Sequence, residues 1–280
     1  REESRQNLGV GDYALQERAF TRDTALHQVR GSATSILGRS ALNELRVQFQ
    51  ADDTTQRSQS SDPAVIVIDA FAPGGAGVAS DRALKSIEVA NNTDFTIGQH
   101  AMRAGVLLEA GAYRQTDARN ANGTYTFGSL EAFAAGLPNT YTQRLGDVET
   151  HFGRYQLGLY VQDDVRVSKN LSLSGGVRHE TQSHVGDWAN FMPRAGFSWN
   201  PFGWKTTVRG GYGLFHHWFG ADLYDQSLRV NGVAQRDLLI LNPGYPDPFS
   251  GPAATVLPGG RVQISPDLEN EHAWNTSFGF

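Results

Sequence analysis

The feature that most constrains this chain is an alternation of apolar and polar residues that repeats four times between Tyr155 and Phe215. In the first run, Tyr155, Leu157, Leu159 and Val161 alternate with polar or small residues. Because successive side chains of a β-strand point to opposite faces, each run predicts a strand with one apolar face and one polar, glycine-rich face. Each run has roughly ten residues, which is the length and pattern of a strand that crosses a membrane in a β-barrel.

The composition is compatible with such a barrel. The chain has 280 residues, 31 of them glycine, and a mean hydropathy of -0.40. A barrel in lipid has this polar average because only every second residue faces hydrocarbon, whereas no run approaches the ~18 apolar residues of a membrane helix. The net charge of -5 and the lack of a basic tract argue against a nucleic-acid partner. The absence of cysteine excludes disulfides, zinc–cysteine sites and thiol catalysis.

The same pattern predicts an all-β fold, namely part of an antiparallel transmembrane β-barrel that occupies residues 1–280. About nine strands are expected, at residues 18–31, 41–52, 84–97, 100–117, 153–167, 170–181, 190–200, 205–217 and 271–280. Short turns alternate with long loops at 53–83, 118–152 and 218–270, and two short helices are expected at 128–136 and 221–228. Short turns are typical of the periplasmic end of an outer-membrane barrel and long loops of the extracellular end. Nine strands leave open edges, so we expect the chain to be an interior portion of a longer barrel.

Alternation also assigns side chains to the two faces of the wall. The residues expected to face lipid are Leu45, Val47, Phe49, Met102, Val106, Leu108, Tyr155, Leu157, Leu159, Val161, Leu171, Leu173, Val177, Phe197, Trp199, Val208, Tyr212 and Leu214. The residues expected to face the lumen are Arg46, Arg103, Glu109, Gln156, Gln162, Arg166, Arg178, Arg194 and Arg209. A row of arginines at polar strand positions suits a water-filled or plugged lumen, although the solvated outer face of a soluble β-sandwich would also accept it.

Aromatic residues cluster near the expected strand ends, where barrels carry girdles at the membrane interfaces. These residues are Trp188, Phe191, Trp199, Phe202, Trp204, Trp218, Phe219 and Trp274. A second set lies in the long loops and could either grip a solute by stacking or pack the loops on each other: Tyr141, Trp188, Trp218, Tyr224, Tyr245 and Phe249.

Candidate catalytic and metal sites are weak, and we expect neither an enzyme nor a cofactor. The neighbouring His216 and His217 point to opposite faces of a strand and cannot share a metal ion, and Asp163 and Asp164 diverge in the same way. A cation site is conceivable only if a loop brings together His179, His184, Glu180 and Asp187. No Gly-x-Ser-x-Gly elbow is present, and the glycines at 74–77 are not followed by a helix pattern that would make a phosphate cradle.

Four segments occur in order along the chain: residues 159–164 (LYVQDD), 170–180 (NLSLSGGVRHE), 190–197 (NFMPRAGF) and 208–215 (VRGGYGLF). The first two are similar to the "YxQDxW…NLTLxxGLRYE" signature of TonB-dependent outer-membrane receptors of the Oar-like subgroup, and the last two look like the next two strands of that barrel. Members of that family carry a plug domain ahead of the barrel, and we find no plug domain in residues 1–280. The resemblance implies a β-barrel in the outer membrane that imports or exports a bulky solute. It also implies outer-membrane lipid, a plug domain, the TonB energy-coupling system and an unidentified solute as partners of the complete protein. A structural or adhesive barrel and a soluble glycan-binding β-sandwich are the alternatives.

Overall fold

The computed structural model describes residues 1–201 and 205–280, which form two β-sheets and two α-helices. The predicted interface aromatics Phe202 and Trp204 lie outside the described residues. The strands are β1 (Glu2–Leu8), β2 (Phe20–Leu37), β3 (Ala41–Ser58), β4 (Ala64–Val67), β5 (Ala79–Ile97), β6 (His100–Asp117), β7 (Thr124–Phe127), β8 (Thr140–Gly146), β9 (Glu149–Ser168), β10 (Leu171–Gln182), β11 (Asn190–Trp199), β12 (Val208–His216), β13 (Gln235–Leu241), β14 (Thr255–Val256) and β15 (His272–Gly279). The helices are α1 (Leu130–Ala134) and α2 (Ala221–Arg229).

The larger sheet, here called the wall, contains ten antiparallel strands in the order β1-β2-β3-β5-β6-β9-β10-β11-β12-β15. The wall does not close, so β1 and β15 are its two edges. All nine predicted strands are present in it, which confirms the all-β antiparallel fold. The sequence analysis missed β1 because Glu2–Leu8 is polar on both faces and carries no alternating pattern.

Several wall strands are longer than predicted. Strands β2, β3, β5, β6 and β9 have between 18 and 20 residues, although a tilted strand needs only about ten to cross a bilayer. The prediction for β3 therefore stopped too early, at 52 instead of Ser58, and the prediction for β5 began too late, at 84 instead of Ala79. Near the long loops both faces of these strands are polar, so the backbone pairing continues where the alternation ends.

The smaller sheet, here called the cap sheet, corrects the prediction that the three long connections contain no strands. Its order is β14-β13-β8-β7-β4, with β4 and β7 parallel and the other pairs antiparallel. Each of the three long connections contributes at least one strand. The cap sheet has its own apolar core, whose buried members are Val65, Val67, Tyr125, Phe127, Tyr141, Leu238 and Ile240.

Both predicted helices are confirmed and both belong to the long connections. Helix α1 is capped by the Ser129 hydroxyl, which accepts a hydrogen bond from the amide of Ala132. Within the described ranges, no helix combines the length and apolar character needed to cross a membrane.

Candidate functional site

The register of the wall shows on which of its two faces each residue that was predicted to face lipid or lumen lies. One row of paired residues runs across four strands from Arg103 through Gln162 and Gly176 to Arg194. Partners in an antiparallel pair share a face, so these side chains all lie on the same side of the sheet. Followed strand by strand, the register places all the predicted lumen-facing residues on this polar face and all the predicted lipid-facing residues on the opposite, apolar face.

The polar face holds a cavity of about 540 Å³ near the middle of the wall. Its lining includes the predicted residues Arg46, Arg103, Gln162, Arg178 and Arg194. The lining also includes Val106, Val161 and Val177, whose register places their side chains on the apolar face, so their main chain borders the cavity. The structure therefore gathers five of the predicted lumen-facing residues around one open space, which is the candidate functional site.

Tyr160 crosses the floor of this cavity in a fixed position. Its hydroxyl is hydrogen-bonded to the side-chain amide of Asn92 at 2.7 Å. Its ring lies next to Gly105, where a Cβ atom would come within 2.6 Å of the ring carbon Cε1. Any larger residue at position 105 would displace the ring, so the glycine makes room for the tyrosine.

Arg178 is held beside Tyr160 by three contacts. Its Nε forms an ion pair with the buried carboxylate of Glu180. Its guanidinium carbon lies 5.9 Å from the centre of the Tyr160 ring, within the range of a cation–π interaction. A Cβ atom at Gly158 would lie 2.6 Å from Nη2 of Arg178, so this close approach also depends on glycine.

The other cavity arginines differ in their carboxylate partners. Nη2 of Arg103 donates to Asp94 at 2.8 Å, whereas Nε of Arg46 is 3.9 Å from Glu44. Arg194 forms no ion pair with any residue in the described ranges; its guanidinium carbon lies 4.6 Å from the centre of the Phe215 ring. Arg194 is therefore a cation whose charge is not balanced by a carboxylate within the described part of the wall.

The remaining predicted lumen-facing residues share the polar face without bordering the cavity. The carboxylate of Glu109 lies 3.8 Å from the guanidinium of Arg154. Gln156 of β9 is the register partner of Glu109 of β6. Arg166 lies by the short turn, where Nη2 is 3.5 Å from the Lys169 carbonyl oxygen. Arg209 pairs with Ser198 on β11. The sequence thus identified the face of these residues but did not indicate which of them meet.

The apolar face is exposed over a limited height. Leu159 is 46% exposed and Trp199 is 44% exposed, although both are large apolar residues. On β9 this face carries Tyr155, Leu157, Leu159, Val161 and Val165, and the apolar series is interrupted by Asp163, which contacts His100. From Tyr155 to Val165 the distance is roughly 33 Å along the strand, or about 25 Å in height at a tilt of roughly 40°. That height equals the lipid-facing band of outer-membrane barrels.

Beyond this band, towards the long loops, the same face becomes charged. Arg57 pairs with Asp81 at 2.6 Å, and Arg114 pairs with Glu149 at 2.8 Å. These pairs require water around them, so the outer half of the wall lies beyond the apolar band. The position of this boundary explains why the predicted strands ended early.

The predicted cation and acid–base candidates do not assemble. Nε2 of His179 is bonded to the carbonyl of Trp188, whereas Nε2 of His184 is bonded to the carbonyl of Gly153, each at 2.8 Å. No group of three or more metal-ligating side chains occurs in the parts of the chain described. Asp163 and Asp164 diverge as expected: Asp163 contacts His100 at 2.6 Å, and Asp164 lines the cavity on the other face.

The loop aromatics largely pack on each other. Tyr141 lies 4.7 Å from Tyr125 and 6.3 Å from Phe249 between ring centres, and Tyr245 lies 5.2 Å from Tyr125. Burial raises the pKa of Tyr125 to about 12, and its hydroxyl donates to the carbonyl of Pro246 at 2.8 Å. For Tyr141 and Tyr245 the structure therefore favours the packing alternative over a direct grip on a solute.

A buried ion network attaches α2 to the polar face, and no sequence pattern predicted it. Arg229 donates to Asp225 at 2.8 Å and to Asp117 of β6 at 2.9 Å, and Asp225 also accepts a hydrogen bond from Thr150 of β9. Asp117 also bonds Arg119, whose pKa is raised by that hydrogen bond. Asp117 and Thr150 lie on the polar face, so α2 covers that face at its long-loop end. The sequence analysis also left Tyr160 and Asn92 out of the candidate site; a tyrosine at a polar strand position was the available signal.

Comparisons with known proteins agree with this geometry. The chain matches the family described as outer membrane beta barrel domain over residues 4–187 and 181–279. The structure of the outer membrane transporter YddB from Escherichia coli superposes with a TM-score of 0.60 at 16% sequence identity. The match covers 85% of this chain and 34% of YddB, so the chain spans about a third of the length of that protein. No curated protein matches the sequence.

The apolar band, the polar face and the antiparallel register are the features that a lipid-embedded barrel wall requires. Because the family match extends over nearly the whole sequence, this chain is an outer-membrane protein that belongs to the outer membrane β-barrel domain family.

Proposed function

We propose that this chain is the barrel part of a TonB-dependent, Oar-like receptor that moves a bulky solute across the outer membrane. The observation that carries the proposal is the cavity on the polar face, directly behind the apolar band. A wall that only anchored a surface structure would have no need for an open space lined by positioned arginines. The fold similarity to an outer-membrane transporter supports the proposal but does not identify a solute.

In the proposed arrangement the apolar face contacts outer-membrane lipid and the polar face lines the solute path. The long connections and the cap sheet lie outside the cell, and the short turns face the periplasm. A plug domain and the TonB system would act on the complete protein. A barrel with a structural or adhesive role has the same wall but no energy-dependent change in its lumen.

Energy-dependent labelling of the lumen distinguishes these two functions without knowledge of the solute. The chain has no cysteine, so Ser174→Cys introduces a single thiol in the cavity lining. Arg114→Cys is the matched control, because Arg114 lies on the opposite face in the exposed outer half. Intact cells with and without TonB are treated with a water-soluble maleimide, and the labelling rate is measured by mass shift.

A receptor of the proposed kind should show faster labelling at position 174 in cells that contain TonB, since the plug then moves. The rate at position 114 should be the same in both strains. Equal rates at position 174 with and without TonB would reject energy coupling and favour a structural or adhesive barrel.

A further inference from the structure

The cavity on the polar face has an unusual balance of charge. Its ionisable lining residues are four arginines and a single aspartate: Arg46, Arg103, Arg178, Arg194 and Asp164. All basic residues in the cavity lining are arginines. Arginine also predominates in the whole chain, where only three of the 24 basic residues are lysines. Guanidinium groups present a planar fork of N–H donors that matches carboxylate and phosphate oxygens in pairs, which an ammonium group cannot do.

The carboxylates that hold these arginines lie beside the cavity and not in its lining. Asp94 bonds Arg103 and Glu180 bonds Arg178, but neither carboxylate borders the open space. An arginine has five N–H donors, and each ion pair uses only part of them. The pairs therefore orient the two guanidinium groups while donors remain for a ligand.

Arg194 is the strongest single indication of an anionic ligand. It has no carboxylate partner among residues 1–201 and 205–280, and its guanidinium lies over the Phe215 ring. Stacking on an aromatic ring occupies the face of the guanidinium and leaves the N–H groups at its edge free. Within the described wall no carboxylate pairs with this charge, so these N–H groups are available to an anionic ligand.

The spacing of these groups sets the size of the ligand. Arg103 and Arg194 occupy the same row of the sheet on β6 and β11, three strand spacings or about 14 Å apart. Arg178 projects between them from β10, next to Tyr160. Long arginine side chains on opposite sides of a 14 Å gap can reach one ligand that carries more than one charged group.

We propose that this cavity recognises a solute with several oxyanion groups, carboxylates or phosphates, through Arg178, Arg194 and Arg103, with Tyr160 and Asn92 as hydrogen-bonding neighbours. The inference rests on the proposed transport function, because it names the class of solute that the same cavity accepts. The oxyanion groups bind the guanidinium edges, and the fixed Tyr160 ring supplies an apolar surface for the body of the solute.

Binding to the detergent-solubilised full chain tests this inference without any transport assay. Calorimetric titrations with citrate and with pyrophosphate distinguish carboxylate from phosphate groups, and maltotriose serves as a larger, neutral probe that can only form hydrogen bonds and apolar contacts. We expect one or both anions to bind and maltotriose not to bind. Arg194→Gln and Arg178→Gln should each weaken anion binding by about tenfold or more, since each removes a charge-assisted contact.

Arg166→Gln is the matched control, because Arg166 lies on the same face outside the cavity lining. Its anion affinity should stay within about twofold of the unaltered chain. A thermal unfolding curve for each variant shows whether the wall remains folded. Gly158→Val provides a second route, since its side chain would displace the Arg178 guanidinium while all charges stay in place.

Anion binding that survives both Arg178→Gln and Arg194→Gln would overturn the proposed site, as would equal affinity for maltotriose or no anion binding at all. These outcomes leave the labelling experiment with Ser174→Cys unaffected, so energy-dependent transport of a neutral solute would still stand. Conversely, anion binding with no effect of TonB would retain the binding site and reject the coupled receptor.

Discussion

The wall and the cap sheet are built from similar strands but place their apolar faces in opposite environments. In the wall, Leu159 is 46% exposed and Trp199 is 44% exposed. In the cap sheet, Phe127 and Ile240 are each 0% exposed. The described chain therefore leaves the apolar face of the wall uncovered, whereas the cap sheet folds around its own core as a water-soluble domain does.

This difference separates the forces that hold the two regions. Backbone pairing along long antiparallel strands stabilises the wall, since in lipid an unpaired backbone group costs several kcal/mol. Packing of aromatic and β-branched side chains stabilises the cap sheet. The two regions should consequently respond differently to the same kind of substitution.

The largest contrast is expected for loss of a phenylalanine ring. Phe127→Ala opens a cavity in the cap core and should lower its free energy of unfolding by roughly 3–5 kcal/mol. Phe197→Ala on the apolar face, where the ring is 38% exposed, should cost less than about 1.5 kcal/mol in detergent. Hydrogen exchange of the cap and wall strands measures both values, and similar losses for the two variants would contradict two separate modes of stabilisation.

A charge placed on the apolar face locates the bilayer. Leu159→Arg should destabilise the wall by roughly 2–4 kcal/mol in lipid vesicles, because the guanidinium would lie near the bilayer midplane. Thr116→Arg, on the same face in the charged outer half, should cost about 0–1 kcal/mol. Urea unfolding in vesicles gives both numbers; a penalty at position 116 as large as at position 159 would place the outer half inside the membrane.

High pH should weaken the cap sheet through ionisation of Tyr125. The pKa of Tyr125 is raised to about 12 by burial, whereas an unfolded tyrosine titrates near ~10. The folded state holds this proton more tightly, so the stabilisation is complete below pH ~10 and is lost as pH rises towards ~12, by roughly 1–3 kcal/mol. Thermal unfolding of the unaltered chain and of Tyr125→Phe should diverge over that interval, and parallel curves would show that Tyr125 does not contribute.

The smallest effect is expected for the exposed ion pairs of the outer half. Arg114→Gln should cost only about 0.2–1 kcal/mol, because water and salt screen its pair with Glu149. A double-mutant cycle with Glu149→Gln at two salt concentrations isolates the pair. A coupling well above this range that persists in high salt would mean that this surface is shielded from water.

The sequence was most informative where one face of a strand meets lipid. Tyr155, Leu157 and Leu159 are recognisable because hydrocarbon selects apolar residues at every second position and the lumen does not. The outer halves of β3 and β5 were truncated in the prediction, since water on both faces removes the alternation while the hydrogen-bonded pairing continues. For the same reason β1 was not predicted at all.

The strands of the cap sheet could not be predicted from local sequence patterns. Its strands come from three connections that are far apart in sequence, and the pair β4 and β7 is parallel over only four residues each. Strands this short show too few alternations to be distinguished from loop. Their pairing depends on contacts such as Tyr125 with Tyr141 and Tyr245, which exist only after the connections have folded together.

The sequence by itself determined nine of the ten wall strands, the two faces of the wall and the predicted residues on each face, because a side-chain period of two is fixed by the strand backbone. Only the tertiary structure decided which of those residues meet. Arg103, Arg178 and Arg194 come from three strands, and it is the register that places them around one cavity with Tyr160. Likewise, Arg229 reaches Asp117 across more than a hundred residues only because α2 folds back onto the polar face, and no local pattern encodes a contact of that range.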